Sequence, residues 1–197
     1  MKNNKISNVL GVNNFRNVHA LTLTSMLIAL TVVCNGLFRI TIIPNVLFIV
    51  VGFLFIATIA YLFGPVMAFT AAFTASVVTM LMFPTGASFN PLFDLNRGLA
   101  GIFYAIFLFR RNHKSKYFII WVIAARVTVR FVCYIFINTY LMVLFGFIPR
   151  GGGGAWIISR LTTNIVMLPI DIFLLFAILK LAGQLYNDIN LKNLRVD

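Results

Sequence analysis

The chain has 197 residues, 61% of them hydrophobic and only 10% charged. The apolar share, about 120 residues, equals six spans of roughly 20 residues. With a mean hydropathy of +0.98 and charge far below the roughly 25% usual in soluble domains, it excludes a water-soluble globular enzyme and a disordered chain alike. The formal charge of +12 does not point to nucleic acid, because the basic residues sit at the ends of apolar runs, where membrane topology places them. Cys34 and Cys133 lie inside apolar stretches and match neither a disulfide framework nor a metal-ligand spacing, so no cofactor and no metal are expected.

Residues 1–19 form a polar tail carrying Lys2, Lys5 and Arg16. A first span is expected over Ala20–Leu37, which is long for a signal-peptide core and is followed by no Ala-x-Ala-type site. A break around Arg39–Asn45, with Pro44, precedes a second span over Val46–Phe63. Gly64-Pro65 closes it as a tight turn, since proline fixes φ and restricts its neighbour. The third span, Val66–Met82, ends at Phe83-Pro84-Thr85-Gly86, and the connector to Phe93 carries no charge. A fourth, Asp94–Phe109, stops at Arg110, Arg111, His113, Lys114 and Lys116. Tyr117–Phe147 is long enough for a tilted fifth span. Beyond Pro149-Arg150 and the loop Gly151–Gly154, the sixth runs over Ala155–Leu181 with Pro169 as a kink. The expected fold is therefore an all-α integral membrane protein, a bundle of six transmembrane helices over residues 20–182 between cytoplasmic tails at 1–19 and 183–197. Basic residues in both tails and in the fourth-to-fifth connector fall on one side, the cytoplasmic one by the positive-inside rule.

Much familiar chemistry is missing. There is no G-x-x-x-x-G-K-[ST] sequence, and the glycine run leads into Ala155-Trp156, so the chain does not cradle a nucleotide phosphate in that way. His19 and His113 fall at span ends, which leaves neither H-E-x-x-H nor an embedded Ser-His pair. An enzyme is not expected.

What the spans do contain is charge: Asp94, Arg97, Arg126, Arg130, Arg160 and Asp171. Ionisable groups at membrane depth are costly and mark candidate functional sites. At about 1.5 Å per residue, Asp94, Arg97 and Arg160 form an outer group, with Asn164 one turn below Arg160. Asp171 lies about 16 Å below Arg160, near the level of Arg126, and a pair with Arg126 or Arg130 reads as structural. The outer group, two arginines and one aspartate, presents positive potential to an anion arriving from outside; a plain Asp94–Arg97 pair is the structural alternative. Phe83, Phe89, Phe93, Tyr134, Tyr140 and Trp156 border this region. Rings beside guanidinium groups suit a flat heteroaromatic ligand bearing carboxylates, whereas Trp156 reads better as part of an interfacial belt. Ser25 and Ala29 form a small-x-x-x-small pair, and Ala68, Ala71, Ala72 and Ala75 a stripe. Small residues let membrane helices approach closely, within the bundle or against another membrane protein.

Six segments carry a resemblance in their order and spacing: Gly64-Pro65-Val66, Phe83-Pro84-Thr85-Gly86-Ala87, Pro91-x-Phe93, Leu99-Ala100-Gly101-Ile102-Phe103-Tyr104, Asn138-Thr139, and Arg160-Leu161-x-x-Asn164-x-x-Met167-Leu168-Pro169-Ile170. Together they resemble the folate-family substrate-binding (S) components of energy-coupling factor (ECF) vitamin transporters. The resemblance implies a six-helix bundle that captures a vitamin near the extracellular face. It also implies docking, through the first three helices, onto a transmembrane coupling subunit carrying two ATPase subunits, in the lipid bilayer and with no nucleic-acid partner. Ser25-x-x-x-Ala29 resembles the family's Ala-x-x-x-Ala docking motif, and the loaded S component is thought to topple to release its ligand inside. Residues and resemblance together make Arg97, Arg160, Asn164, Asn138, Asp94, Phe89, Phe93 and Tyr134 the expected substrate-binding set, and Ser25, Ala29, Ala68, Ala71, Ala72 and Ala75 the expected docking set. The chain departs from the folate pattern in having Phe48 in place of an arginine before the second helix, and Asp94-x-Asn96-Arg97 in place of a Thr-x-Ser-Ala run. Folate remains the first expectation because the Phe-Pro-Thr-Gly-Ala loop and the sixth-helix motif are retained, with pantothenate or another carboxylated vitamin as the alternative. The rivals are a non-transport membrane scaffold and a stand-alone secondary transporter, for which no inverted repeat or matched broken helices are visible.

Overall fold

The computed structural model describes residues 14–15, 17–37, 40–43, 47–49, 51–84, 90–112, 115–147 and 153–188. Helix α1 (Val18–Gly36) starts where the Asn17 side chain accepts a hydrogen bond from the His19 N–H at 3.1 Å, which satisfies one of the donors a helix start leaves open. A short antiparallel hairpin follows, β1 (Ile40–Ile43) and β2 (Leu47–Ile49), with Ile40 opposite Ile49 and Thr41 opposite Phe48. Then come α2 (Phe53–Phe63), α3 (Pro65–Met82) and α4 (Pro91–Leu108). Helix α5 (Phe118–Leu144) is α-helical over Phe118–Thr128, π-helical over Val129–Ile137 and α-helical again over Asn138–Leu144. Helix α6 (Gly153–Asp188) runs uninterrupted through Pro169. Helices α1, α3, α5 and the Arg160–Leu185 part of α6 are long and apolar enough to cross a membrane.

The six-helix bundle matches the sequence expectation, but the second span does not start at Val46. Residues 47–49 pair with Ile40–Ile43 as a strand, and α2 keeps only 11 residues, about 16 Å of helix. Isoleucines and a threonine on β1 have restricted χ1 and favour extended pairing. An apolar run of that length reads equally as strand plus helix or as one helix.

Gly64, between α2 and α3, has φ 96°, a conformation that a Cβ disfavours. Pro65 then opens α3 at a position where its missing N–H costs nothing. The Asn14 amide donates at 2.8 Å to the Phe63 carbonyl, capping an acceptor that the end of α2 leaves open. Successive helices alternate in direction, so the ends of α1, α3 and α5 and the starts of α2, α4 and α6 gather at one end with the hairpin. Gly36 meets the Phe83 ring there, and Gly52 meets Asn35. The opposite end carries Arg110, Arg111 and Lys116, with the Arg111 guanidinium 3.7 Å above the Trp121 ring.

The alanine stripe of α3 is internal. Ala68, Ala71, Ala72 and Ala75 are buried, and at Gly101 an added Cβ would lie 2.5 Å from the Ala68 carbonyl oxygen. Ala68 therefore lies at the close approach of α3 and α4, and all four alanines are buried within the bundle and not on an exposed docking face, which corrects that part of the sequence reading. Close backbone approach leaves no flexible side chain to yield. Gly101→Val is accordingly expected to cost about 1–3 kcal/mol of bundle stability, checked by denaturant unfolding of the detergent-solubilised chain.

Candidate functional site

Two polar layers lie between the hairpin end and the middle of the bundle. The deeper one is an ion cluster. Arg126 on α5 is buried and donates to Asp171 Oδ2 on α6 through Nε at 3.2 Å and Nη2 at 2.8 Å. Its Nη1 donates to the Tyr104 hydroxyl on α4, and its guanidinium stands 3.5 Å from the Phe53 ring centroid at the start of α2. Arg130, four residues on, donates through Nη2 to the same Asp171 oxygen and through Nη1 to Asn164 Oδ1. Both ion pairs among the described residues are thus made by one carboxylate. The sequence reading expected Asp171 to pair with one arginine or the other, and it holds both.

The outer layer is spread over α3, α4, α5 and α6. Asp94 does not pair directly with Arg97: the Ser76 hydroxyl on α3 donates to Asp94 Oδ1 and accepts from Arg97 Nη1 at 3.0 Å. Asp94 is buried while Arg97 is exposed. Asn96 donates its amide to the Cys133 carbonyl at 3.0 Å, across the α4–α5 seam. Half-buried Arg160 donates to the Tyr134 carbonyl at 3.3 Å and to Met142 Sδ at 3.0 Å. The Asn164 amide donates to the Arg160 carbonyl at 2.7 Å, so this residue joins the two layers.

Of the expected binding residues, Arg160, Asn164 and Tyr134 are thereby brought together, and Asp94 and Arg97 form a second group through Ser76. Asn138 opens the last α-helical section of α5, one turn beyond Tyr134. Phe93 packs near Phe145 and Phe147, ring centroids 6.1 and 6.3 Å away, at the hairpin end. Phe89 and the Trp156 side chain lie outside the described residues. Sequence reasoning missed Ser76, Asn96, Tyr104 and Phe53. Ser76 stands one turn after Ala72 and was hidden by the small-residue pattern.

Several buried polar atoms have no hydrogen-bond partner among the described residues: Asp94 Oδ2, Asn96 Oδ1, Asn35 Oδ1, Thr139 Oγ1 and Arg130 Nε. Such atoms are few in folded proteins and each calls for a partner. The two asparagine oxygens and the aspartate oxygen are acceptors, suited to N–H groups. Asn96 is oriented by its amide donation to Cys133, which leaves the oxygen facing away from that bond.

The four acidic residues of the chain are Asp94, Asp171, Asp188 and Asp197. Only the first two belong to these layers, against Arg97, Arg126, Arg130 and Arg160. The formal sum is +2, so the site as a whole favours an anion.

A family model described as ECF transporter, substrate-specific component, matches residues 19–179. Ten chains of known structure match as well. One of them, the crystal structure of FolT bound with folic acid, is 28% identical, with a TM-score of 0.68 over 81% of this chain and 91% of that chain. No curated protein matches in sequence. The chain belongs to the substrate-specific components of ECF transporters, and with its several apolar helices it is a multi-pass membrane protein.

Proposed function

We propose that this S component captures folate at the hairpin end of the bundle, with that end facing the exterior and both chain ends in the cytoplasm. The observation that carries the reading is the surplus of two arginines over aspartates in the polar layers, which matches the two carboxylates of a folate glutamate. The buried acceptor Asp94 Oδ2, which has no partner among the described residues, favours folate over pantothenate. A pterin edge offers adjacent ring N–H and amino donors, whereas pantothenate offers hydroxyls and one amide. The neighbour FolT, crystallised with folic acid, supports the same choice. The basic connector Arg110, Arg111 and Lys116 at the opposite end supports the orientation.

The chain binds and carries but does not catalyse. Energy comes from partners, a transmembrane coupling subunit with two ATPase subunits. The docking reading now rests on Ser25 and Ala29 of α1. Both are exposed, and the Ser25 hydroxyl donates to the Leu21 carbonyl at 2.9 Å, which keeps its polar group on its own helix and leaves a small surface for close approach. Ala29→Trp is expected to leave ligand binding unchanged and to abolish most vitamin uptake in cells, measured side by side. Equal uptake by the variant would remove this docking assignment.

The direct test is fluorescence quenching of the purified chain in detergent by folic acid, with pantothenate as comparator. Saturable quenching by folic acid alone is expected. Saturation by pantothenate alone would replace the substrate, and binding of neither would remove the vitamin assignment.

A further inference from the structure

We infer that Arg130, which the sequence presents as half of a structural ion pair, is the inner carboxylate-binding residue of the site and sets the preference for an acidic ligand. The inference rests on the folate reading above and goes beyond it by naming where the ligand's anionic group is held.

Two buried guanidinium groups share one carboxylate, and they are not equivalently satisfied. Arg126 has all three nitrogens engaged, by Asp171 and Tyr104, and a phenyl ring against its face. Arg130 has two nitrogens engaged, by Asp171 and Asn164, while its Nε is buried with no partner among the described residues. Its side chain keeps 17% exposure, against 3% for Arg126. One negative charge is shared by the two guanidinium groups, so the cluster keeps one positive charge in excess, and Arg130 is the member with a donor left open. An unneutralised guanidinium at that depth is costly, and a buried donor left unmade is itself unfavourable.

The surroundings of Arg130 also belong to the binding layer. Asn164, which accepts from it, donates in turn to the Arg160 carbonyl. Tyr134 lies with its ring centroid 5.9 Å from the guanidinium and its carbonyl on Arg160. A carboxylate held beside Asn164 would lie within reach of the Arg130 guanidinium, one turn of α6 below Arg160. The titratable and charged groups facing Arg130 are Asp171, Arg126 and Tyr134, none of which supplies a second negative charge. Asp171 then holds Arg130 in place and oriented, and the ligand completes the neutralisation.

The test compares folic acid with its dimethyl ester, which has the same rings and neither carboxylate charge, on the full chain in detergent. Wild type is expected to prefer the acid. Arg130→Gln, confirmed folded by its unfolding transition, is expected to weaken the acid by roughly tenfold or more while leaving the ester within about twofold, as loss of one charge-assisted bond predicts. An equal loss for acid and ester, or no loss for either, would make Arg130 purely structural and overturn the inference. Should Arg130→Gln not fold, Arg130→Lys replaces it. That variant keeps the charge but lacks the planar Nε edge, and an unchanged acid-to-ester ratio would be equally decisive against the assignment. If wild type binds neither form, the folate reading fails and this inference with it; if wild type prefers the acid and the variants keep that preference, only this inference fails.

Discussion

Asp171→Ala should be the most damaging single substitution in the bundle, lowering unfolding stability by about 3–5 kcal/mol. The reason is asymmetric. Removing the carboxylate saves its own desolvation cost but strands two guanidinium groups, Arg126 and Arg130, that now donate to it. Tyr104 and Phe53 remain against Arg126, yet neither carries a negative charge. Asp171→Asn should fall between wild type and alanine, because an amide oxygen still accepts. Detergent-phase unfolding of the three chains gives the order directly. A loss below about 1 kcal/mol for alanine, the level of an exposed pair, would mean that the cluster is hydrated and not a buried anchor.

The second large effect is on binding. Arg160→Ala should weaken folic acid by about tenfold to a hundredfold, since a bond to a charged group contributes roughly 1.5–3 kcal/mol. Arg160 is half-buried, held by the Tyr134 carbonyl and Met142, so its interaction with a carboxylate is only partly screened. Arg97 is exposed, and Arg97→Ala should weaken binding by no more than about tenfold, an effect that fades in high salt as exposed charges are screened. Titration of both variants at low and high ionic strength separates the two. If neither changes the affinity at low salt, the outer arginines do not meet the ligand.

Much of this architecture is legible in the sequence, for physical reasons. Runs of apolar residues ended by Gly64-Pro65, by Phe83-Pro84 and by the basic cluster near Arg110 have few other solutions in a bilayer. The Asp171 pairing follows from depth alone, because a lone carboxyl at that level needs a cation. The hairpin was not legible, because strand and helix both satisfy an unbroken apolar stretch. The stripe from Ala68 to Ala75 was legible as close packing but not as to its partner, since small residues say that something comes near without saying what. Ser76 between Asp94 and Arg97 required three dimensions. Two groups three residues apart on one helix look like an ion pair until a hydroxyl from the neighbouring helix is placed between them.

The π-helical stretch Val129–Ile137 carries a consequence for how this molecule tolerates change in length. Its turns hold more residues than those of an α-helix, so Arg126 below it and Asn138 and Thr139 above it are phased by the count of residues between them as well as by their identity. Loss of one residue from 129–137 is offset in part by a return to ordinary winding, whereas the same loss from an α-helical section rotates everything beyond it by about 100°. The wide turns are therefore the part of α5 where a change in length is spread over the most backbone, between the Arg126 end and the Asn138 end.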